Sequence, residues 1–175
     1  MGTTYSAYLY FPELLRMDAI IFASNKDIRY IEAPKCISIG SSAFYRCRVS
    51  NISFPLCERI YQSAFALATR LEIANFPECS IIESNAFNQC SSLTTASFSK
   101  CTTIGSYAFA SCSKLNSISF PLCSDIKNSA FYSCASLITI NFPSCLTIGN
   151  YAFASCVSLT TADFPLCSSI GMYAF

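Results

Sequence analysis

Twelve cysteines are the residues of this sequence best able to do chemistry, because a thiolate can attack a substrate, bind a metal ion or form a disulfide. They fall into two sets, and within each set neighbouring members lie 21 or 22 residues apart, except where Ala68 interrupts one set. One set comprises Cys47, Cys90, Cys112, Cys134 and Cys156. The other comprises Cys36, Cys57, Cys79, Cys101, Cys123, Cys145 and Cys167.

Three uses of these cysteines are compatible with the spacing. Disulfides could join adjacent repeats, as between Cys112 and Cys134, but disulfide frameworks of small secreted domains are irregularly spaced. A metal site needs convergent ligands, and the chain has no histidine and no C-x-x-C motif. The regular spacing favours a ladder of small buried side chains whose S–H groups reach backbone carbonyls. We therefore expect no metal site and no cofactor.

Catalysis is not indicated by the remaining residues. Without histidine, the commonest general base and the Ser-His and Cys-His pairs are absent. The ten acidic residues are scattered, and Gly40, Gly105, Gly149 and Gly171 are interpreted as single turn glycines that form no phosphate-binding loop. The sequence predicts no catalytic residues.

Charge and hydropathy exclude two further classes of partner. The formal net charge is +1 and only 12% of residues are charged, so nothing favours nucleic acid binding. The apolar runs are shorter than the roughly 20 residues of a membrane-spanning helix, so no membrane insertion is expected. Residues 1–8 also lack the basic and apolar stretches of a signal peptide, which leaves a cytoplasmic location open.

All fifteen phenylalanines fall in two columns with the same period as the cysteines. The first column comprises Phe22, Phe44, Phe65, Phe87, Phe109, Phe131, Phe153 and Phe175, and the second comprises Phe11, Phe54, Phe76, Phe98, Phe120, Phe142 and Phe164. Self-similarity at 20 to 50 residues is typical of solenoids, in which each repeat contacts only its neighbours.

Each repeat contains a short alternating segment, such as Ile118-Ser119-Phe120, that predicts a strand ending at the following proline. The apolar spacing Leu115-x-x-Ile118-x-Phe120-x-x-Cys123-x-x-Ile126 is that of a leucine-rich repeat. We therefore predict an α/β-type repeat solenoid with a single parallel β-sheet of about seven to eight short strands. Its returns are expected to be irregular or 3-10, with a 22-residue period.

From Pro34 to Phe175, the motif I-G-x-x-A-F-x-x-C-x-x-L-x-x-I-x-F-P-x-C resembles the BspA-type leucine-rich repeats of bacteria and parasitic protists. The resemblance implies a solenoid, and it implies adhesion or host-protein binding at a cell surface or after secretion. It transfers no catalytic residues, because the shared positions are core positions.

The ends of the repeat array differ from its middle. Residues 1–33 contain a degenerate repeat that we expect to act as an N-terminal cap, and residues 34–175 form the repeat array. The last repeat stops midway, at Ala174-Phe175, so we expect an array truncated at its C-terminal end or an end that associates with another copy.

Small polar residues occupy the positions that alternate with the buried ones along each strand. The predicted binding residues among them are Thr95, Ser97, Ser117, Ser119, Thr139, Asn141, Thr161 and Asp163. An alternative is that these residues only keep the strand face solvated.

Two other repeated features, a basic set (Arg48, Arg70, Lys114) and a tyrosine set (Tyr107, Tyr151, Tyr173), are interpreted as solvated or packing side chains.

These features predict a non-enzymatic binding module for adhesion or protein–protein recognition, with a protein or glycan surface as the partner. The alternative is a structural spacer or a self-assembling repeat array with end-to-end self-association.

Overall fold

A computed structural model describes residues 7–175, in which the chain winds into a parallel-strand solenoid of about seven coils with a period of about 22 residues. The predicted repeat solenoid is confirmed. The first six residues, which belong to the predicted cap and to the segment inspected for a signal peptide, lie outside the described residues. Between residues 7 and 175, no helix is long and apolar enough to cross a membrane.

Each coil contributes a longer strand to one sheet and a two-residue strand to another, so the sixteen strands alternate between two sheets along the chain. The front sheet contains β1 (Ala7–Tyr10), β3 (Ile28–Glu32), β5 (Asn51–Ser53), β7 (Ile73–Asn75), β9 (Thr95–Ser97), β11 (Ser117–Ser119), β13 (Thr139–Asn141) and β15 (Thr161–Asp163). The back sheet contains β2 (Arg16–Met17), β4 (Ser38–Ile39), β6 (Arg59–Ile60), β8 (Ile81–Ile82), β10 (Thr103–Ile104), β12 (Asp125–Ile126), β14 (Thr147–Ile148) and β16 (Ser169–Ile170).

Strands pair in parallel with the equivalent strand of the next coil. The front sheet runs in the order β1-β3-β5-β7-β9-β11, and β13 pairs with β15 beyond an interruption in the ladder after β11. The back sheet is continuous through all eight of its strands. The returns are thus more regular than predicted, since they include this second sheet. No helix occurs in residues 7–175, so the helical part of an α/β type is not found.

Proline begins the turn that separates a front strand from the next back strand. After β11, the backbone N–H of Cys123 donates to the carbonyl of Phe120 at 3.2 Å and closes a turn over Pro121. Proline fits the second position of such a turn because its φ is already fixed near the required value. The front strand ends at Ser119, one residue earlier than predicted, and the turn holds proline in every coil except the one after β9, where Ser99 takes its place.

A ribbon of turns returns the chain from the back sheet to the front sheet. In residues 106–111, the N–H groups of Tyr107, Phe109 and Ser111 donate to carbonyls of the next coil at 3.1, 2.8 and 2.7 Å. The intervening N–H groups of Ala108 and Ala110 donate three residues back, each at 3.2 Å. The backbone of the ribbon is therefore hydrogen-bonded within the coil and between coils.

The glycine beside this ribbon serves a purpose other than the predicted turn. None of the glycines in residues 7–175 has a positive φ, whereas Tyr107 and Ser111 have φ values of 58° and 59°. A Cβ added to Gly105 would lie 2.6 Å from both the carbonyl carbon of Glu83 and the nitrogen of Ser84. Glycine is therefore used here for the close approach of two backbones.

The two phenylalanine columns meet in the core as a herringbone. Within its column, Phe109 stacks on Phe87 at 5.1 Å and on Phe131 at 5.3 Å between ring centroids, with interplanar angles of 5° and 3°. It meets Phe98 and Phe120 of the other column edge-on, at 5.7 and 5.8 Å. Each central ring thus contacts four others in geometries that aromatic pairs favour.

The cysteines form the predicted ladder and are all free thiols. Eleven are buried, and only Cys167 is partly exposed. In one set each thiol donates to the carbonyl two residues ahead, as from Cys101 to Thr103 at 3.3 Å. In the other, Cys112 donates to Phe87 in the preceding coil at 3.2 Å. Each of these side chains therefore packs in the apolar core while its S–H group donates to a backbone carbonyl.

Burial raises the pKa of nine of these thiols, because the low-polarity interior disfavours the thiolate. The pKa of Cys57, Cys101 and Cys112 rises to about 12 in each case, and that of Cys145 to about 11. The thiolate that nucleophilic attack or metal binding requires is therefore suppressed at neutral pH.

We expect Phe109→Ala to lower the free energy of unfolding by about 3–5 kcal/mol, because it leaves a cavity among four rings. Phe175→Ala serves as the control, since that side chain is 57% exposed, and it should cost far less. Urea unfolding monitored by circular dichroism measures both values. Equal losses would show that the stack does not hold adjacent coils together.

Alkaline pH should unfold the protein through its thiols. Below the ordinary pKa of 9.0 both states are protonated and the buried thiols stabilise the fold fully. Between that value and about 12, the thiol of Cys101 ionises in the unfolded chain but stays protonated in the folded protein. The free energy of unfolding therefore falls as the pH rises. The loss is about 1.4 kcal/mol per pH unit for each such thiol.

Urea unfolding at a series of pH values tests this expectation, with Cys101→Ala as the matched variant. The free energy of unfolding of this variant should fall less steeply with pH, by the contribution of one thiol. An unchanged slope would contradict a raised pKa for Cys101.

Alkylation of the denatured, non-reduced chain should add twelve labels, because all twelve cysteines are free thiols, and fewer labels would indicate disulfides.

Candidate functional site

The outward face of the front sheet carries two columns of side chains, which we call the outer columns. Parallel pairing aligns equivalent residues of successive coils, as with Thr95↔Ser117 and Ser97↔Ser119. The first outer column is Tyr8, Tyr30, Asn51, Ile73, Thr95, Ser117, Thr139 and Thr161. The second outer column is Tyr10, Glu32, Ser53, Asn75, Ser97, Ser119, Asn141 and Asp163.

All eight predicted binding residues lie in the outer columns and are exposed. In β9, β11 and β13 they alternate with a buried residue that anchors the strand, such as Ala96 at 4% and Ile118 at 9% exposure, whereas all three residues of β15 are exposed. The strands therefore hold the hydroxyls and amides at a spacing of about 4.8 Å between coils. Whether these residues bind a partner remains a prediction.

The structure divides the predicted residues into two groups. Those of β9 and β11 lie side by side and line a shallow depression of about 280 Å³ with Ala96 and Ile118. Those of β13 and β15 are likewise paired, with Thr139 opposite Thr161 and Asn141 opposite Asp163. The ladder is interrupted between β11 and β13, so the two groups adjoin without strand hydrogen bonds between them.

Between Glu32 and Asp163, neither outer column contains a charged residue. Any contact there must rest on hydrogen bonds and shape. Neighbouring polar side chains also bond to one another, as when the Asn75 Nδ2 donates to the Ser53 Oγ at 3.2 Å.

The N-terminal end of the outer columns is different, and the sequence analysis missed it. Tyr8, Tyr10 and Tyr30 are 56%, 56% and 50% exposed, and Glu32 lies among them. An open groove of about 500 Å³ lies here, and its lining includes Tyr8, Tyr30, Glu32, Asn51, Ser53, Ile73 and Asn75. Tyr10 is next to the groove, since it pairs with Glu32. The alternation of half-buried and exposed residues in Ala7–Tyr10 is the pattern that could have predicted a front strand here, but this segment belongs to the degenerate N-terminal repeat.

Two members of this group influence each other. The carboxylate of Glu32, through hydrogen bonding and its negative charge, raises the pKa of the Tyr8 hydroxyl above its usual value of 10.0. The carboxylate and the aromatic ring therefore lie close together in the groove.

The basic set and the tyrosine set lie outside the front strands. Arg48, Arg70 and Lys114 are exposed, whereas Arg59 pairs with Glu83 at 2.6 Å. Tyr151 and Tyr173 stack at 5.2 Å between centroids. These placements are compatible with solvated and packing side chains.

Within the described part of the chain, no three Cys, Asp or Glu residues are grouped as metal ligands would be. The thiols that are numerous enough to suggest such a site point into the core. The outer columns, by contrast, present a repeated and accessible set of polar groups.

Solved structures share this architecture. A leucine-rich cell surface protein from Faecalibacterium prausnitzii A2-165 is 22% identical, with a TM-score of 0.79 over 90% of this chain and 47% of that one. A leucine-rich repeat protein from Bacteroides ovatus ATCC 8483 is 25% identical, with a TM-score of 0.81 over 95% and 45%. This chain thus spans less than half of either protein.

The leucine-rich repeat protein of T. pallidum is 23% identical, with a TM-score of 0.74 over 98% of this chain and 85% of that one. No curated protein matches the sequence. The family model for the BspA type leucine rich repeat region matches in six copies, over residues 15–124 and 80–175. Since these matches span nearly the whole chain, the protein belongs to the BspA-type leucine-rich repeat family.

Proposed function

We propose that this chain is a non-enzymatic recognition module that binds a partner protein through the outer columns of its front sheet. The observation that carries the proposal is the run of aligned and uncharged side chains from β5 to β11, all of them exposed except the half-buried Asn75. Solenoids commonly bind through such extended sheets. The mixture of Tyr, Ser, Thr and Asn also suits adaptable hydrogen bonding, as in antibody binding loops.

An adhesive role is supported by the F. prausnitzii neighbour, which is described as a cell surface protein. Adhesion requires many moderate contacts over a wide area, and the front sheet offers one row of contacts for every coil. The predicted residues Thr95, Ser97, Ser117 and Ser119 form the centre of this surface, and Thr139, Asn141, Thr161 and Asp163 extend it.

A non-enzymatic role is supported by the state of the thiols. They are the chain's strongest potential nucleophiles, but eleven of the twelve are buried, and burial raises the pKa of most of them, as it does for Cys112. With no histidine in the sequence, the commonest partner for activating them is also missing.

We expect the double substitution Thr139→Arg, Asn141→Arg to weaken partner binding by about tenfold or more, because bulky charges then project from a flat, uncharged surface. Both side chains are exposed and Ile140 between them is unchanged, so the fold should persist. An array of purified extracellular-matrix proteins, followed by biolayer interferometry on the hits, measures the effect.

The matched control is Thr147→Arg, Ser169→Arg on the back sheet, where both residues are exposed and face each other across paired strands. This variant adds the same charge and should bind like the unmodified chain. Equal binding by all three proteins, or equal loss in both variants, would refute recognition through the outer columns.

A second candidate, a self-assembling array, is favoured by the apolar surface of the last described coil. Val157, Met172 and Phe175 are 81%, 66% and 57% exposed there. Phe153, Leu159 and Ala162 line a depression of about 420 Å³ beside them. A further coil or a second copy of the chain would cover this surface.

Sedimentation velocity over a range of concentrations separates the two functions. End-to-end assembly predicts a weight-average sedimentation coefficient that rises with concentration, and Val157→Lys should abolish the rise. Recognition through the outer columns predicts that Val157→Lys leaves partner binding unchanged. Loss of partner binding in this variant would favour the assembly instead.

A further inference from the structure

We infer that the groove at the N-terminal end of the outer columns binds a neutral sugar ring, stacked on Tyr8 or Tyr30 and hydrogen-bonded to Glu32 and the neighbouring amides. The inference rests on the proposed function in that it assigns a ligand class to part of the same recognition surface. It concerns the residues around Tyr30, which were not among the predicted binding residues.

The aromatic residues are the first support. Tyr8 and Tyr30 are paired across β1 and β3, and both rings line the groove. Each is about half exposed although it lies in a sheet, so apolar ring surface is presented to solvent. One face of a pyranose ring consists of C–H groups, which pack well on an aromatic ring.

The polar residues are the second support. Glu32 offers two acceptor oxygens, Asn51 and Asn75 offer amides, and Ser53 offers a hydroxyl, all in the same groove. Adjacent sugar hydroxyls both donate and accept, so they match a carboxylate beside amides. Asn75 already donates to Ser53, which leaves its carbonyl oxygen free to accept from a ligand.

The charge of the groove decides which sugars fit. Its lining contains Glu32 and no lysine or arginine. A sialylated or sulfated sugar would place its anion beside this carboxylate with nothing to neutralise it, and bringing like charges together is unfavourable. The groove therefore selects uncharged sugars.

The size of the groove favours a small ring over the side of a protein. Its volume of about 500 Å³ lies within the range of small-ligand sites. Its aliphatic lining is limited to Ile31, Ile52 and the exposed Ile73, and the first two are nearly buried. The centre of a protein interface usually offers a larger apolar area.

The test begins with an array of neutral, sialylated and sulfated glycans probed with the 175-residue chain. Saturation-transfer difference NMR with the methyl hexosides of the neutral hits then identifies the bound ring protons. We expect transfer to the C–H protons of neutral rings and no binding of the anionic glycans. Tyr30→Ala and Glu32→Gln should each weaken binding by about tenfold or more.

Two controls keep the result interpretable. Tyr132→Ala removes another exposed tyrosine, which lies on the turn ribbon, and should leave sugar binding unchanged. Thr139→Arg, Asn141→Arg should also leave it unchanged while weakening the protein partner. Thermal unfolding by circular dichroism confirms that each variant is folded, and Tyr30→Phe, which keeps the ring, should retain binding if Tyr30→Ala proves unstable.

Three outcomes would overturn the inference. The first is no binding of any neutral glycan, while binding of a protein partner that is sensitive to Thr139→Arg, Asn141→Arg persists; the proposed function would then stand without the sugar site. The second is sugar binding that is indifferent to Tyr30→Ala and Glu32→Gln. The third is loss of protein binding alone in Tyr30→Ala, which would make the groove a contact for a protein.

Discussion

Contact between adjacent coils is the interaction on which the rest of the structure depends. A coil contains one short front strand and one two-residue back strand, and neither has a partner within its own coil. Backbone groups such as the N–H of Phe109 find their acceptors in the next coil, and the ring of Phe109 stacks on one ring in the preceding coil and one in the next. Because every coil needs a neighbour on both sides, side chains repeat in columns and the surface repeats with them.

Column repetition made the fold predictable, but only where the repeating residues are large. The spacing of phenylalanine and cysteine indicated a solenoid because these side chains fill the core of every coil. The back sheet escaped prediction because strands of two residues, such as Thr103–Ile104, are too short to show an alternating pattern. Their pairing depends on the equivalent strands of the neighbouring coils, which a sequence pattern within one repeat does not show.

The candidate site was predictable to the extent that strand alternation continued. From β5 onward the outward residues follow from the buried ones, so Thr95 and Ser97 could be assigned to the outer columns from the sequence. Near the N-terminus the spacing itself is kept, since Tyr8 pairs with Tyr30 and Tyr10 pairs with Glu32, in each case 22 residues apart. The tyrosines were missed because the residue types of this repeat depart from those of the later repeats, so the alternation in Ala7–Tyr10 was not interpreted as a front strand.

The distribution of charge distinguishes the outer columns from the rest of each coil. Ion pairs join equivalent positions of neighbouring coils at the turns after the front strands, as between Lys35 and Glu13 at 2.7 Å and between Lys100 and Glu78 at 2.6 Å. These pairs are exposed, so they contribute little to stability. Charge is thus placed at the turns, whereas the outer columns carry none between Glu32 and Asp163. The core columns, constrained by stacking, can hardly vary without loss of stability, whereas most side chains of the outer columns are exposed to solvent. The outer side chains, and with them the proposed recognition surface, can therefore change from one coil to the next, from tyrosine at Tyr30 to serine at Ser117, on a scaffold that stays the same.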